Sequence, residues 1–139
     1  MPLFSRRVLL SGGVVASFGA SASIAHQSRM PSEVSGASSI LHQVFFWLKN
    51  PGSESDRDQL IGGLNSLRSI KVINYLAIGV PASTEKREVV DASYDVSELM
   101  IFGSVEDQKI YQDHALHVRF VKQHAHLWRK VLVYDSKSV

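Results

Sequence analysis

Tyr111, His114 and His117 recur at every third position of the run SVEDQKIYQDHALH, residues 104–117, and Phe120 continues the series. Phenol and imidazole are groups that handle protons. An imidazole with an ordinary pKa of about 6.5 can take or return a proton near neutral pH. A tyrosine hydroxyl can donate a directed hydrogen bond to a developing oxyanion without itself carrying charge. On a helix a three-residue repeat keeps successive members on one side, with a slow drift about the axis. The same spacing has a plainer reading, in which amphipathic rings cap a core with their polar tips in water or bonded to backbone. A fourth ring, His42, sits in a strand whose neighbours are apolar. A lone histidine there is ordinarily structural, and it gains chemical interest if the second helix sets its own histidines beside it.

The elements that must position these groups are legible from pattern. Ile40–Lys49 is β-branched and aromatic and is stopped by Asn50-Pro51-Gly52, which predicts a strand. His42, Val44, Phe46 and Leu48 share one face of it; Leu41, Phe45 and Trp47 take the other. Ser53–Ile70 reads as a helix, with Ser53 and Asp56 or Ser55 and Asp58 opening it and Leu60, Ile61, Leu64, Leu67 and Ile70 as the buried stripe. The Gly62-Gly63 pair inside it suggests close packing against a sheet. Val72–Val80 is a second strand, ending at Pro81; Val89-Val90 offers an extension of an edge. Ser97–Phe102 is a third strand. Ser104 and Asp107 open a second helix, broken near His114-Ala115 and running to about His126; Trp128–Asp135 is the last strand. His124 and His126, with Lys122, Arg129 and Lys130, read as a solvated cationic helix end.

The order strand, helix, strand, strand, helix, strand is the ferredoxin-like βαββαβ arrangement, an α+β fold with a four-stranded antiparallel sheet and helices on one face. The strands look apolar on both sides, so the second sheet face needs cover. A second copy of the chain is the expected partner, giving a homodimer joined through its sheet faces as a dimeric α/β barrel.

Composition closes off several classes. The chain has 139 residues and no cysteine, which excludes disulfides, thiolate metal sites and cysteine nucleophiles. Removing Arg6 and Arg7 from the 15 basic residues leaves 13 against 13 acidic, so the formal charge of +2 comes from the N-terminal end. Nothing supports a nucleic-acid surface. Residues 1–25 read as an export signal: two arginines, an apolar run diluted by glycine and serine, then small residues at Ala20-Ser21-Ala22 and Ser23-Ile24-Ala25. The Ser5-Arg6-Arg7-Val8-Leu9-Leu10 run looks like a twin-arginine signal, placing the mature chain in a bacterial periplasm, with membrane contact only during export. Residues 26–38 have linker composition, and the folded domain is expected over 39–136.

Several of these segments together resemble one family. They are His42-Gln43-Val44-Phe45-Phe46-Trp47-Leu48-Lys49; Leu67–Gly79; Tyr94-Asp95 followed by Leu99–Phe102; Ser104-Val105-Glu106-Asp107 leading to Tyr111, His114 and His117; Phe120-Val121; and Val131–Asp135. In order and spacing they are similar to the stress-responsive dimeric α/β-barrel (Dabb) family, including its polyketide cyclases like the plant olivetolic acid cyclase. The resemblance implies a homodimer with a cavity between sheet and helices. It matches Tyr111 and His117 to a catalytic pair that performs aldol-type condensation, and His42 and His114 to histidines near it, which would bind or orient substrate. Ala115 stands where the family usually has proline, so the kink between His114 and His117 is expected to differ.

Two functions from different classes follow. One is an enzyme abstracting a proton from a small, partly apolar carbonyl compound, with His117 as base and Tyr111 as oxyanion donor. The other is a non-catalytic, stress-associated dimer that holds a small apolar ligand in the same cavity. Haem or a metal held by His114 and His117 ranks below both; no cofactor and no metal is expected.

Overall fold

The computed structural model describes residues 38–139; the expected export signal and nearly all of the expected linker lie outside the described residues. Its elements are β1 (Ile40–Leu48), α1 (Glu54–Ser66), β2 (Tyr75–Gly79), β3 (Val96–Phe102), α2 (Val105–Asp113), α3 (Ala115–His124) and β4 (Trp128–Lys137). All pairings are antiparallel and the sheet order is β2-β3-β1-β4, the ferredoxin-like βαββαβ arrangement. The two ends of the domain are tied where the Ser138 amide donates to the Ser39 carbonyl at 2.9 Å. No helix among the described residues is long and apolar enough to cross a membrane.

Both helix starts follow their capping residues. The Ser53 hydroxyl accepts from the Asp56 amide and the Ser104 hydroxyl from the Asp107 amide, each satisfying a backbone donor that the first helical turn leaves free. The expected break in the second helix is present, and it forms without proline. His114 adopts extended backbone angles (φ −65°, ψ 136°), so it ends α2 and caps α3 at once.

β3 buries Val96, Glu98, Met100 and Phe102 on the side facing the helices and leaves Ser97, Leu99 and Ile101 half-buried on the other. β1 alternates in step, with Ile40, His42, Val44 and Phe46 buried. Leu60, Leu64, Leu67 and Ile70 close over this surface with Phe120, Leu127 and Tyr111, forming one continuous core.

The opposite sheet face is aromatic and open. Phe45 packs edge-on against Tyr94 and Tyr134, and a groove of about 150 Å³ lies among Phe45, Trp47, Asp91, Tyr94, Leu132 and Tyr134. The loop before β3 is pinned to this side: the Trp47 indole donates to the Ser93 hydroxyl at 3.0 Å and Asp95 accepts from the Leu48 amide at 2.8 Å.

Four expectations are corrected. The second strand is confined to Tyr75–Gly79, because the chain turns at Lys71-Val72, where the Ile73 amide donates to the Ile70 carbonyl at 3.1 Å, and Val89-Val90 extends no edge. Gly63 packs against α3 instead of the sheet: a Cβ there would stand 2.6 Å from Nε2 of His124, whereas Gly62 has open space. His124 is accordingly no solvated helix end. It is half-buried, stacked on Phe120, and its Nδ1–H donates to the Phe120 carbonyl at 2.9 Å.

Candidate functional site

Where the helix-facing side of β1 meets α2 and the start of α3, three proton-handling rings pack together. β1 contributes His42, whose burial follows from its place in the apolar alternation. α2 contributes Tyr111, only 1% exposed, and α3 contributes His117, half-buried. The ring centroids of His42 and Tyr111 are 5.8 Å apart and those of Tyr111 and His117 are 4.5 Å apart. Phe102 forms the apolar backing, 5.2 Å from Tyr111 and 6.1 Å from His42. Two members of the three-residue row, Tyr111 and His117, therefore do meet the lone strand histidine.

His114 is not brought to this cluster. Its Nδ1 accepts from the Leu116 amide at 3.1 Å, capping α3. Its ring lines a separate groove on the outside of α2 with Glu106, Lys109, Ile110 and Asp113.

The two imidazoles of the cluster share one tautomer. Asp135 on β4 lies opposite His42 in the strand register, and its Oδ1 is 2.6 Å from His42 Nδ1. A carboxylate only accepts, so Nδ1 carries a proton, and whenever the ring is neutral Nε2 keeps a free lone pair. Nδ1 of His117 meets the Gln112 carbonyl at 2.9 Å, and the same argument applies. Each ring is thus held by its Nδ1–H with Nε2 available as a base. Asp135 reaches outward as well: its side chain is 51% exposed and lines a groove of about 240 Å³ with Ile40, Val105, Gln108, Ser136 and Lys137.

The surroundings tune these groups. Burial pushes His117 below the ordinary imidazole range; the bond to Gln112 opposes this in part and repulsion from a charged His42 adds a smaller push. His117 is thereby held neutral, the form a base requires. Burial, and after it the negative charge of Glu98, drives the Tyr111 phenol well above its usual range, so it acts as a donor and stays protonated.

Sequence reasoning did not single out Asp135 or Glu98. Glu98 is 4% exposed on the helix side of β3, and its Oε2 has no hydrogen-bond partner among the described residues. Burial raises its carboxyl to about 8. Tyr111 is neutral when Glu98 ionises and exerts no charge on it, whereas an ionised Glu98 opposes a phenolate, so the influence runs one way. Among the described residues no group of three or more histidine and carboxylate side chains is placed to hold a metal ion.

Comparisons with known proteins agree with this architecture. The chain is similar to a Dabb family protein of ferredoxin-like fold from Mesorhizobium loti, with 21% identity over 73% of this chain and 98% of that one and a TM-score of 0.61. A dimeric ferredoxin-like protein of unknown function from Thermobifida fusca is 17% identical, over 74% and 93%, at a TM-score of 0.60. The hydroxynitrile lyase of Passiflora edulis is 20% identical, over 73% and 94%, at 0.61. At these identities the likeness concerns the fold. No curated protein sequence matches the chain. The model of the Stress responsive A/B Barrel Domain (Dabb) matches residues 40–138, the whole of the sheet-and-helix unit that carries the ring cluster, and the chain belongs to that family.

Proposed function

We propose that this protein is a homodimeric Dabb enzyme that moves a proton on a small, partly apolar carbonyl compound. The observation that carries the reading is the pairing of two imidazoles, each with a free Nε2, around one buried phenol. In the proposed step Nε2 of His117 removes a hydrogen from the carbon next to the carbonyl. The C–H electrons pass into the enolate, whose oxygen accepts a hydrogen bond from the Tyr111 hydroxyl. His42, oriented by Asp135, supplies a second acceptor for a ligand hydroxyl or for the proton in transit. The resulting carbanion equivalent can be reprotonated or can add to a second carbonyl, which is aldol-type chemistry.

The direct test uses phenylacetone in D₂O, following α-hydrogen exchange by NMR. Exchange above the buffer rate is expected, falling by about 10²–10³ in Tyr111→Phe, the range for losing one oxyanion donor, and to background in His117→Ala. Exchange that survives both substitutions overturns the roles. A ligand that binds without exchange supports the non-catalytic dimer instead. A hydroxynitrile lyase stands among the structurally similar proteins, so mandelonitrile is an apt second probe.

The dimer reading draws on the open aromatic sheet face and on the dimeric solved structure of like fold. Export is part of the same proposal and rests on the Arg6-Arg7 segment. Periplasmic protein shortened at Ala22 or Ala25 is the expected product, and full-length protein retained in the cytoplasm would contradict it.

A further inference from the structure

One polar side chain on the helix-facing side of the sheet has no part in the proton-transfer scheme. Glu98 has Val44 of β1 and Ile78 of β2 as its register partners, and Val96 and Met100 flank it on its own face. His42 pairs with Met100, so Glu98 is its diagonal neighbour, a relation that spans about 7–8 Å in an antiparallel pair. Its charge is felt by Tyr111. It therefore belongs to the floor on which His42 and Tyr111 stand. Its Oε2 is shut away from water without a partner, which disfavours the folded state unless something completes the bond.

The geometry points to Glu98 as a further ligand-binding group, whose carboxyl donates a hydrogen bond to an oxygen of a small neutral carbonyl compound seated against His42 and Tyr111. This deepens the proton-transfer reading and rests on it for where the ligand sits. A carbonyl oxygen has two lone pairs and can accept from the phenol and the carboxyl together. The carboxyl can donate only while protonated, and its burial keeps it so up to about pH 8. The titratable groups assembled with it are Tyr111 from α2, His42 from β1 and His117 from α3. The phenol titrates above that range and His117 below it. α1 presents Leu60 and Leu64, which add no charge.

The test compares phenylacetone with propylbenzene, its analogue without the oxygen, titrated by NMR into the full chain at pH 7 and pH 9. At pH 7 the preference for phenylacetone should fall about tenfold in Glu98→Leu, the value of one hydrogen bond. In the wild type the same fall should appear between pH 7 and pH 9. Glu98→Gln keeps a donor of similar shape without a titrating proton. It should restore most of the preference and abolish its pH dependence, which also answers any misfolding of the leucine variant. A preference unchanged in both variants, or no binding of phenylacetone by the wild type, overturns the assignment. Wild-type protein that binds through Glu98 but exchanges no α-hydrogen defeats the proton-transfer reading and leaves this one standing. Exchange with binding indifferent to Glu98 does the reverse.

Discussion

The sharpest consequence of the buried carboxyl concerns stability as a function of pH. In the unfolded chain Glu98 releases its proton near 4.5; in the native protein burial holds that proton until about 8. Between those values the folded state binds a proton that the unfolded state does not, so raising the pH favours unfolding. Below 4.5 both states are protonated and the native chain has its full advantage; that advantage is lost as pH rises towards the folded value. The slope is about 1.4 kcal/mol per pH unit, and the whole window amounts to about 5 kcal/mol, an order-of-magnitude figure. Against a typical domain stability of about 5–15 kcal/mol that is a large share. Glu98→Gln removes the titration while keeping the shape, and Tyr111, the group whose ionisation Glu98 opposes, titrates above the pH window used. Urea unfolding of the two at pH 5, 6, 7 and 8, at one protein concentration, isolates the effect. The glutamine variant should gain on the wild type with each unit of pH. Two stability curves that stay parallel across the window would refute the reasoning.

Other substitutions probe the rest of the account. Asp135→Asn replaces a carboxylate that can only accept with an amide whose NH2 can donate to Nδ1, so the His42 tautomer is no longer fixed; α-hydrogen exchange should fall by about tenfold or more, with little change in unfolding temperature. Gly63→Ala forces a methyl to within 2.6 Å of His124 Nε2. It should destabilise by about 1–3 kcal/mol in chemical denaturation, and by less than the sum of single effects when combined with His124→Ala. Phe45→Lys places a charge on the open aromatic face of the sheet. On the proposed homodimer, sedimentation should show a dimer for the wild type and a monomer for the variant, and an unchanged sedimentation coefficient would contradict the sheet-face interface.

Much of this was legible in the sequence, for reasons that differ residue by residue. Alternation placed His42 on the same face as Val44 and Phe46, because strand side chains have a strict period of two. The three-residue spacing placed Tyr111 and His117 together, since a break at His114 resets the helix without separating them. The same break took His114 out of the cluster: capping a new helix is a local backbone role that spacing does not distinguish from a ligand. Asp135 could not be joined to His42 in advance, because their meeting depends on the β1–β4 register across 93 residues. Glu98 carried a signal that was there to be read. In Val96–Phe102 it occupies the same parity as Met100 and Phe102, so an acidic side chain was headed for the core. Gly63 gave notice of a close approach, but its partner His124 lies on another helix and only packing reveals it.

The central claim is that both imidazoles flanking Tyr111 are held by Nδ1–H, leaving Nε2 as the base. Long-range ¹⁵N–¹H NMR on protein labelled in histidine reads this directly, with His42→Gln and His117→Gln assigning the signals. The account predicts that His42 and His117 both show a protonated Nδ1 and an unprotonated Nε2 at pH 7.5. The opposite tautomer in either ring, with its proton on Nε2, would contradict it.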